Sequence, residues 1–186
     1  MIDPGEEPER VLAALQENNL QCSAILVTHA HLDHIGAVGA LALATTSPVY
    51  TSELDASVLE HVNDHLWPGF GPYVEHLPEG RLIPAVPVCI AGLTLTVFAT
   101  PGHAAGSVAI LITGPQGDQL LAAGDVLFAG SVGRTDLPGG DWSLLQQSIA
   151  LLIREVGEDV PVLPGHGPTT TLRHERATNP FLIGTS

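Results

Sequence analysis

Six residues constrain this chain more than any others. Ala24-Ile25-Leu26-Val27-Thr28 is an apolar, β-branched run that predicts a buried strand, and it leads directly into His29-Ala30-His31-Leu32-Asp33-His34. An Ala/Leu/Val-rich stretch to about Leu43 then predicts a helix. Strand, polar loop and helix in that order place side chains at a strand's carboxyl end, where α/β sites usually lie. Residues two apart on an extended segment point to the same side, so His29 and His31 can serve one ion. Asp33 and His34 follow where the chain turns into the helix and face a second point. Imidazole and carboxylate are ligands that suit Zn²⁺, Fe or Mn²⁺. One such His is ordinarily a surface or satisfied core residue. Three His and an Asp crowded together without a metal would instead suffer repulsion on protonation and costly desolvation.

Three later residues extend the pattern. His103 lies in Thr100-Pro101-Gly102-His103, Asp125 in Gly124-Asp125, and His166 in Pro164-Gly165-His166-Gly167. Each follows a predicted strand and sits beside small residues that permit close approach of backbone or substrate. Each alone is unremarkable, but the shared strand-end location makes all three candidate ligands.

The rest of the chain reads as many short elements joined by turns. Pro8 suits the first turn of a helix carrying Val11, Leu12 and Leu15, with Asn18-Asn19 as its stop. Pro48 to Thr51 predicts a short strand and Glu53 to about Val62 a helix. Residues 63–78 hold Pro, Gly and three of the eight aromatics and read as a long surface loop, with His61, His65 and His76 as surface residues beside it. Trp67, Phe70 and Tyr73 either line a cleft or pin the loop. Strands are predicted at 86–90, 93–99, 108–113, 119–123 and 160–163. Asp141 is a good N-cap for a helix bearing Leu144, Leu145, Ile149, Leu152 and Ile153, and a last short helix begins near Thr171, with His174 on a solvated face.

With 186 residues, 45% of them hydrophobic, the chain suits one domain spanning 1–186 with a sizeable core. Acids outnumber bases 20 to 6, for a net charge of −14, and every base is Arg, which argues against a nucleic-acid partner. Cys22 and Cys89 are expected to be reduced, packed thiols. The apolar runs are too short to span a bilayer and no signal peptide is visible, so the expectation is a cytoplasmic protein with no membrane partner.

The series His-x-His-x-Asp-His, Pro-Gly-His, Gly-Asp, Gly-His-Gly resembles the metallo-β-lactamase superfamily, in the family's order and over nearly the whole chain. Gly133-Arg134-Thr135-Asp136, Gly139-Gly140-Asp141 and Thr178-Asn179-Pro180-Phe181 resemble its short bacterial glyoxalase II-like (hydroxyacylglutathione hydrolase-like) branch. The resemblance implies an α+β fold, a four-layer αββα sandwich. It implies two divalent metal ions, Zn²⁺ foremost, with Fe or Mn as alternatives. His29, His31 and His103 would hold the first, Asp33, His34 and His166 the second, and Asp125 would bridge them. The implied activity is hydrolysis of a small-molecule thioester such as S-lactoylglutathione by a metal-bridging hydroxide, with Asp33 and Asp125 catalytic.

The chain also departs from that pattern. It opens at Met1-Ile2-Asp3-Pro4-Gly5, where relatives close a strand that others precede, so either a truncated start or a short first sheet lacking those strands is expected. The helical domain that gives glyoxalase II its basic glutathione contacts does not follow His166. Arg134 stands where that enzyme has Lys, which makes it a candidate substrate-binding cation or else a partner of Asp136. Asp136 and Pro168 stand where it tends to have Tyr. Rival readings are an iron-dependent persulfide dioxygenase, a β-lactamase or lactonase, and a catalytically silent metal-binding protein. An RNA-processing nuclease is opposed by the acidic charge.

Overall fold

A computed structural model describes residues 1–182 and divides the chain into two compact units, Met1–Leu82 and Ile83–Ser186. In the first unit, α1 (Pro8–Glu17) begins at its proline and stops at Asn18, as the sequence predicts. Three short parallel strands follow: β1 (Ile25–Leu26), β2 (Val49–Thr51) and β3 (Gly80–Arg81), hydrogen-bonded in that order. Ile2 adds a parallel bridge to Leu26 on the other edge of β1. The first strand is shorter than its apolar run because the Thr28 amide leaves the sheet and donates to Asp3 Oδ1 at 2.8 Å.

The helix predicted after His34 is two helices, α2 (Leu32–Ile35) and α3 (Val38–Thr45). The break has a cause in the Asp3-Pro4-Gly5 segment. The Ala37 amide donates to Gly5 O at 2.7 Å rather than to a helical carbonyl, and the Gly5 amide donates to His34 O. The predicted 53–62 helix contracts to α4 (Ala56–Glu60) followed by a 3₁₀ turn over Val62–His65. Ile25, Val27, Ile35, Val38, Leu41, Val49, Leu59 and Val62 form this unit's core.

The second unit is built on β4 (Val88–Ile90), β5 (Leu93–Ala99), β6 (Val108–Thr113) and β7 (Gln119–Gly124), then a hairpin of β8 (Leu127–Phe128) and β9 (Ser131–Val132). Next come α5 (Trp142–Glu155), β10 (Pro161–Pro164), β11 (Thr170–Thr171) and α6 (Leu172–Thr178). The six-stranded sheet runs β11-β10-β7-β6-β5-β4. Asp141 caps α5 by accepting from the Leu144 amide. Leu145, Ile149 and Leu152 carry the apolar face of α5 into a core with Leu121, Val126, Leu127 and Leu172. Leu144 falls outside that face and is exposed.

Both cysteines are free thiols, but the expectation that they are packed fails for Cys89. It lies on the outward side of the edge strand β4, where alternation turns its side chain to solvent. No helix among the described residues is long and apolar enough to cross a membrane.

Candidate metal centre

In the first unit the six-residue motif gathers its ligand-type side chains at the end of β1. The His29 and His31 rings meet edge to face with centroids 4.7 Å apart, and His29 and His34 lie 4.1 Å apart. His29 and His34 are buried, whereas the Asp33 side chain is half exposed, with Oδ2 3.8 Å from His34 Nε2.

Asp3 organises this group. Its carboxylate accepts from the Thr28 amide at 2.8 Å, from the Thr28 hydroxyl at 2.6 Å and from His34 Nδ1 at 3.1 Å. Because a carboxylate only accepts, the His34 proton sits on Nδ1. The Thr28 hydroxyl has given its hydrogen to Asp3, so its 3.1 Å contact with His29 Nδ1 makes that nitrogen the donor. In the neutral form both imidazoles therefore carry their lone pair on Nε2. Asp3, His29 and His34 form a group of metal-ligating type. The three donors already on its carboxylate cast Asp3 as support for the imidazoles.

In the second unit sheet direction does the gathering. Strands β5 and β7 flank the antiparallel β6 and so end on the same side, and β10 runs parallel to β7 with Pro164 opposite Gly124. His103, Asp125 and His166 thus leave one end of the sheet together. His103 Nε2 and His166 Nε2 each lie 3.5 Å from Asp125 Oδ2. The Arg134 carbonyl accepts from His103 Nδ1 at 2.8 Å, which again leaves the Nε2 lone pair facing the carboxylate.

The Pro-Gly-His turn is clamped by α5. Asp141 N donates to Gly102 O at 2.8 Å, and Ser148 Oγ donates to Pro101 O at 2.7 Å. A Cβ on Gly102, at φ +136°, would stand 2.3 Å from the Leu145 nitrogen, so only glycine fits.

These donors fit a divalent ion. Two ligand atoms bound at about 2.0–2.1 Å to one tetrahedral ion lie about 3.3 Å apart. That is close to the 3.5 Å from each imidazole Nε2 to Asp125 Oδ2. A metal-ligating His commonly donates its second ring N–H to a carboxylate or a carbonyl, as His34 and His103 do here.

A family model described as the metallo-beta-lactamase superfamily matches residues 1–166. The chain belongs to that superfamily. It is 32% identical over 190 residues to the hydroxyacylglutathione hydrolase GloC of Haemophilus influenzae, covering 98% of this chain and 86% of the relative. Among solved structures, the BLEG-1 B3 metallo-beta-lactamase matches with a TM-score of 0.88 and 39% identity, covering 98% of this chain and 88% of that one. TTHA1623 in a di-iron-bound form matches with 0.82 and 42%, covering 97% and 88%. The fold is therefore the mixed α/β metallo-β-lactamase fold expected from the motif series, and the class is that of the metal-dependent hydrolases.

Within this family frame, two supporting groups escape a reading of motifs. Asp3 stands 25 residues before the Thr28 it anchors, and its only sequence signal is the Asp-Pro-Gly turn. The group that orients His103 is a backbone carbonyl, which no residue type announces. Arg134 itself forms a two-point ion pair with Asp136, at 2.7 and 2.8 Å, on an exposed loop. Hydrogen bonding to that guanidinium holds the Asp136 carboxyl down to about 2.

Tyr73 pins the aromatic loop. Its ring lies against Gly36, where a Cβ would meet it at 2.9 Å, and its hydroxyl donates to Glu6. Desolvation first, then that hydrogen bond, pushes the phenol up to about 12. Trp67 and Phe70 are exposed. So are His61, His65 and His174, whereas His76 is partly buried against Glu79.

Proposed function

We propose that this chain hydrolyses small-molecule thioesters of the S-lactoylglutathione type at a centre for two divalent metal ions. The observation that carries the proposal is a set of imidazoles, His29, His34 and His103, whose Nδ1 protons are all engaged and whose Nε2 lone pairs are thereby presented. The assignment of ligands follows the family's motif order: His29, His31 and His103 for one ion, Asp33, His34 and His166 for the other, and Asp125 shared. One fold domain over the whole chain is part of the same proposal. Zn²⁺ and Fe²⁺ both suit such a donor set, and TTHA1623 is described in a di-iron form.

Metal ions held there would supply Lewis acidity at the substrate carbonyl and lower the pKa of water to about 7. The protein's own groups supply the rest. Asp3 and the Arg134 carbonyl hold the ligand imidazoles in one tautomer. The half-exposed Asp33 carboxylate accepts the proton of the attacking water, and Asp125 orients that water. A thiolate leaves without protonation, so the reaction needs no side-chain acid at the leaving group. It needs no side-chain nucleophile either. Cys22 is occupied with Ala24 O, and Cys89 lies on the edge strand.

A second reading, opening of a β-lactam, is favoured by the likeness to BLEG-1 at 39% identity. One experiment separates the two. Protein loaded in turn with Zn²⁺, Mn²⁺ and Fe²⁺ is assayed for release of free thiol from S-lactoylglutathione and for loss of β-lactam absorbance. Chelator-sensitive thiol release is the expected result. β-Lactam opening without thiol release, from protein shown to hold two ions, would reject the thioester reading.

A further inference from the structure

The Thr178-Asn179-Pro180-Phe181 motif takes no part in the chemistry above, yet its asparagine is fully buried. So is Glu175, four residues earlier on α6. Glu175 Oε2 accepts from the Gly130 amide at 2.8 Å and from Asn179 Nδ2 at 2.8 Å, and Oε1 accepts from the Thr170 hydroxyl at 2.5 Å. Asn179 Nδ2 also donates to Ser131 O at 2.9 Å. Glu175 forms no ion pair among the described residues. Burying an ionisable group this way is a poor route to stability, since an apolar side chain of similar volume would serve at least as well. Directional hydrogen bonds, by contrast, fix one geometry.

What they fix is the tip of the β8–β9 hairpin, between Phe128 and Ser131. Each strand of that hairpin has two residues, too few to hold a shape unaided. The hairpin nevertheless touches all three ligand-type residues of its unit. Asp125 lies two residues before β8, and Gly133, just after β9, lies so close that a Cβ there would stand 1.9 Å from Asp125 O. Arg134, the next residue, gives His103 its carbonyl partner. The Phe128 ring meets the His166 ring edge to face, with centroids 6.1 Å apart.

We propose that Glu175 and Asn179 are positioning residues for the metal centre. They lock the β8–β9 hairpin so that Asp125, His103 and His166 keep their mutual geometry. The inference rests on the reading of those three as metal ligands. Loss of the latch loosens ligands that neither residue touches, as loss of outer-shell partners does in metal sites generally.

The test measures the Zn²⁺ dissociation constant by competition with a chromophoric chelator, and the visible spectrum of the Co²⁺-loaded chain, on protein shown by circular dichroism to be folded. Glu175→Ala and Asn179→Ala should weaken Zn²⁺ by about 10–100-fold and shift the Co²⁺ bands. Glu175→Gln, which keeps an acceptor for Gly130 and Asn179, should recover most of the affinity. Leu59→Ala, a core truncation on α4 outside the cluster that holds Leu127 and Val132, should lower the melting temperature and leave affinity and spectrum unchanged. If Glu175→Ala fails to fold, Asn179→Ala and Glu175→Gln decide the matter. Latch variants that melt early yet bind Zn²⁺ and Co²⁺ as the wild type does would overturn the inference while leaving the site reading intact. A wild-type chain that holds no metal would overturn both.

Discussion

The two units assemble their ligand-type residues by opposite means. The first takes four of them from one six-residue run, so local chain geometry does the gathering, and a single distant carboxylate, Asp3, sets the tautomers. The second takes three residues from the ends of three strands, so β5, β7 and β10 must be in register before any site exists. A compact motif is cheap in loop entropy but needs an outside anchor to orient its rings. A dispersed set is oriented by its sheet but depends on everything that holds the sheet's end, including a two-residue hairpin and the helix that grips it.

The largest expected effect comes from the carboxylate of the dispersed set. Asp125→Ala should abolish thiol release, by about 10³-fold or more if several kcal/mol of transition-state stabilisation is lost, and should lower metal content. Wild-type turnover in that variant would break the comparison outright.

Asp3→Asn probes the compact set. An amide offers one acceptor oxygen where the carboxylate offers two, so it cannot serve the Thr28 amide at Oδ1 as well as the Thr28 hydroxyl and His34 Nδ1 at Oδ2, and the array that orients the two imidazoles is broken. Metal affinity should fall by about 10–100-fold, measured by chelator competition, with little change in β-sheet content. An unchanged affinity would show that the six-residue motif orients itself.

A buried acid outside the centre sharpens the contrast with Glu175. Burial pushes the Asp55 carboxyl up to about 6, partly countered by the Ser52 hydroxyl. The folded state thus favours the protonated form. The resulting stabilisation is full below the unfolded pKa of about 3.9 and is lost as pH rises through about 6. At full ionisation the difference is roughly 3 kcal/mol. Asp55→Asn should therefore melt higher than wild type at pH 7.5, and the two should converge near pH 4. Parallel melting curves at both pH values would show that Asp55 ionises freely.

The smallest effect is expected at Arg134. Its exposed ion pair with Asp136 should contribute nothing measurable to the melting temperature, so Arg134→Gln is a clean probe of substrate binding. A rise in KM for an anionic thioester at constant kcat would assign the guanidinium to substrate; an unchanged KM would leave it to Asp136 alone.

The sequence makes this site legible unevenly, for physical reasons. His29, His31, Asp33 and His34 stand out because four ligand-type residues in six have no ordinary structural use. His103, Asp125 and His166 are legible only as a series, since each alone is an ordinary turn residue. Strand and helix positions followed from apolar periodicity wherever elements were long, as in β5, β6 and α5. The break between α2 and α3 did not, because it is made by a hydrogen bond from Ala37 to Gly5, a contact between segments that periodicity cannot see. The short strands β3, β8, β9 and β11 have too few residues to show a period. Asp3, the Arg134 carbonyl and Glu175 were hidden for the same reason as the helix break: each acts on a residue at least 25 positions away or through backbone atoms.

The central proposal is a centre for two metal ions built from the residues of the motif series. Its most direct test is the metal content per chain, by elemental analysis after saturation and desalting, of the wild type, His31→Ala and His166→Ala. The account predicts two ions in the wild type and fewer in each variant. One ion or none in the wild type, or a full complement in His166→Ala, would contradict it.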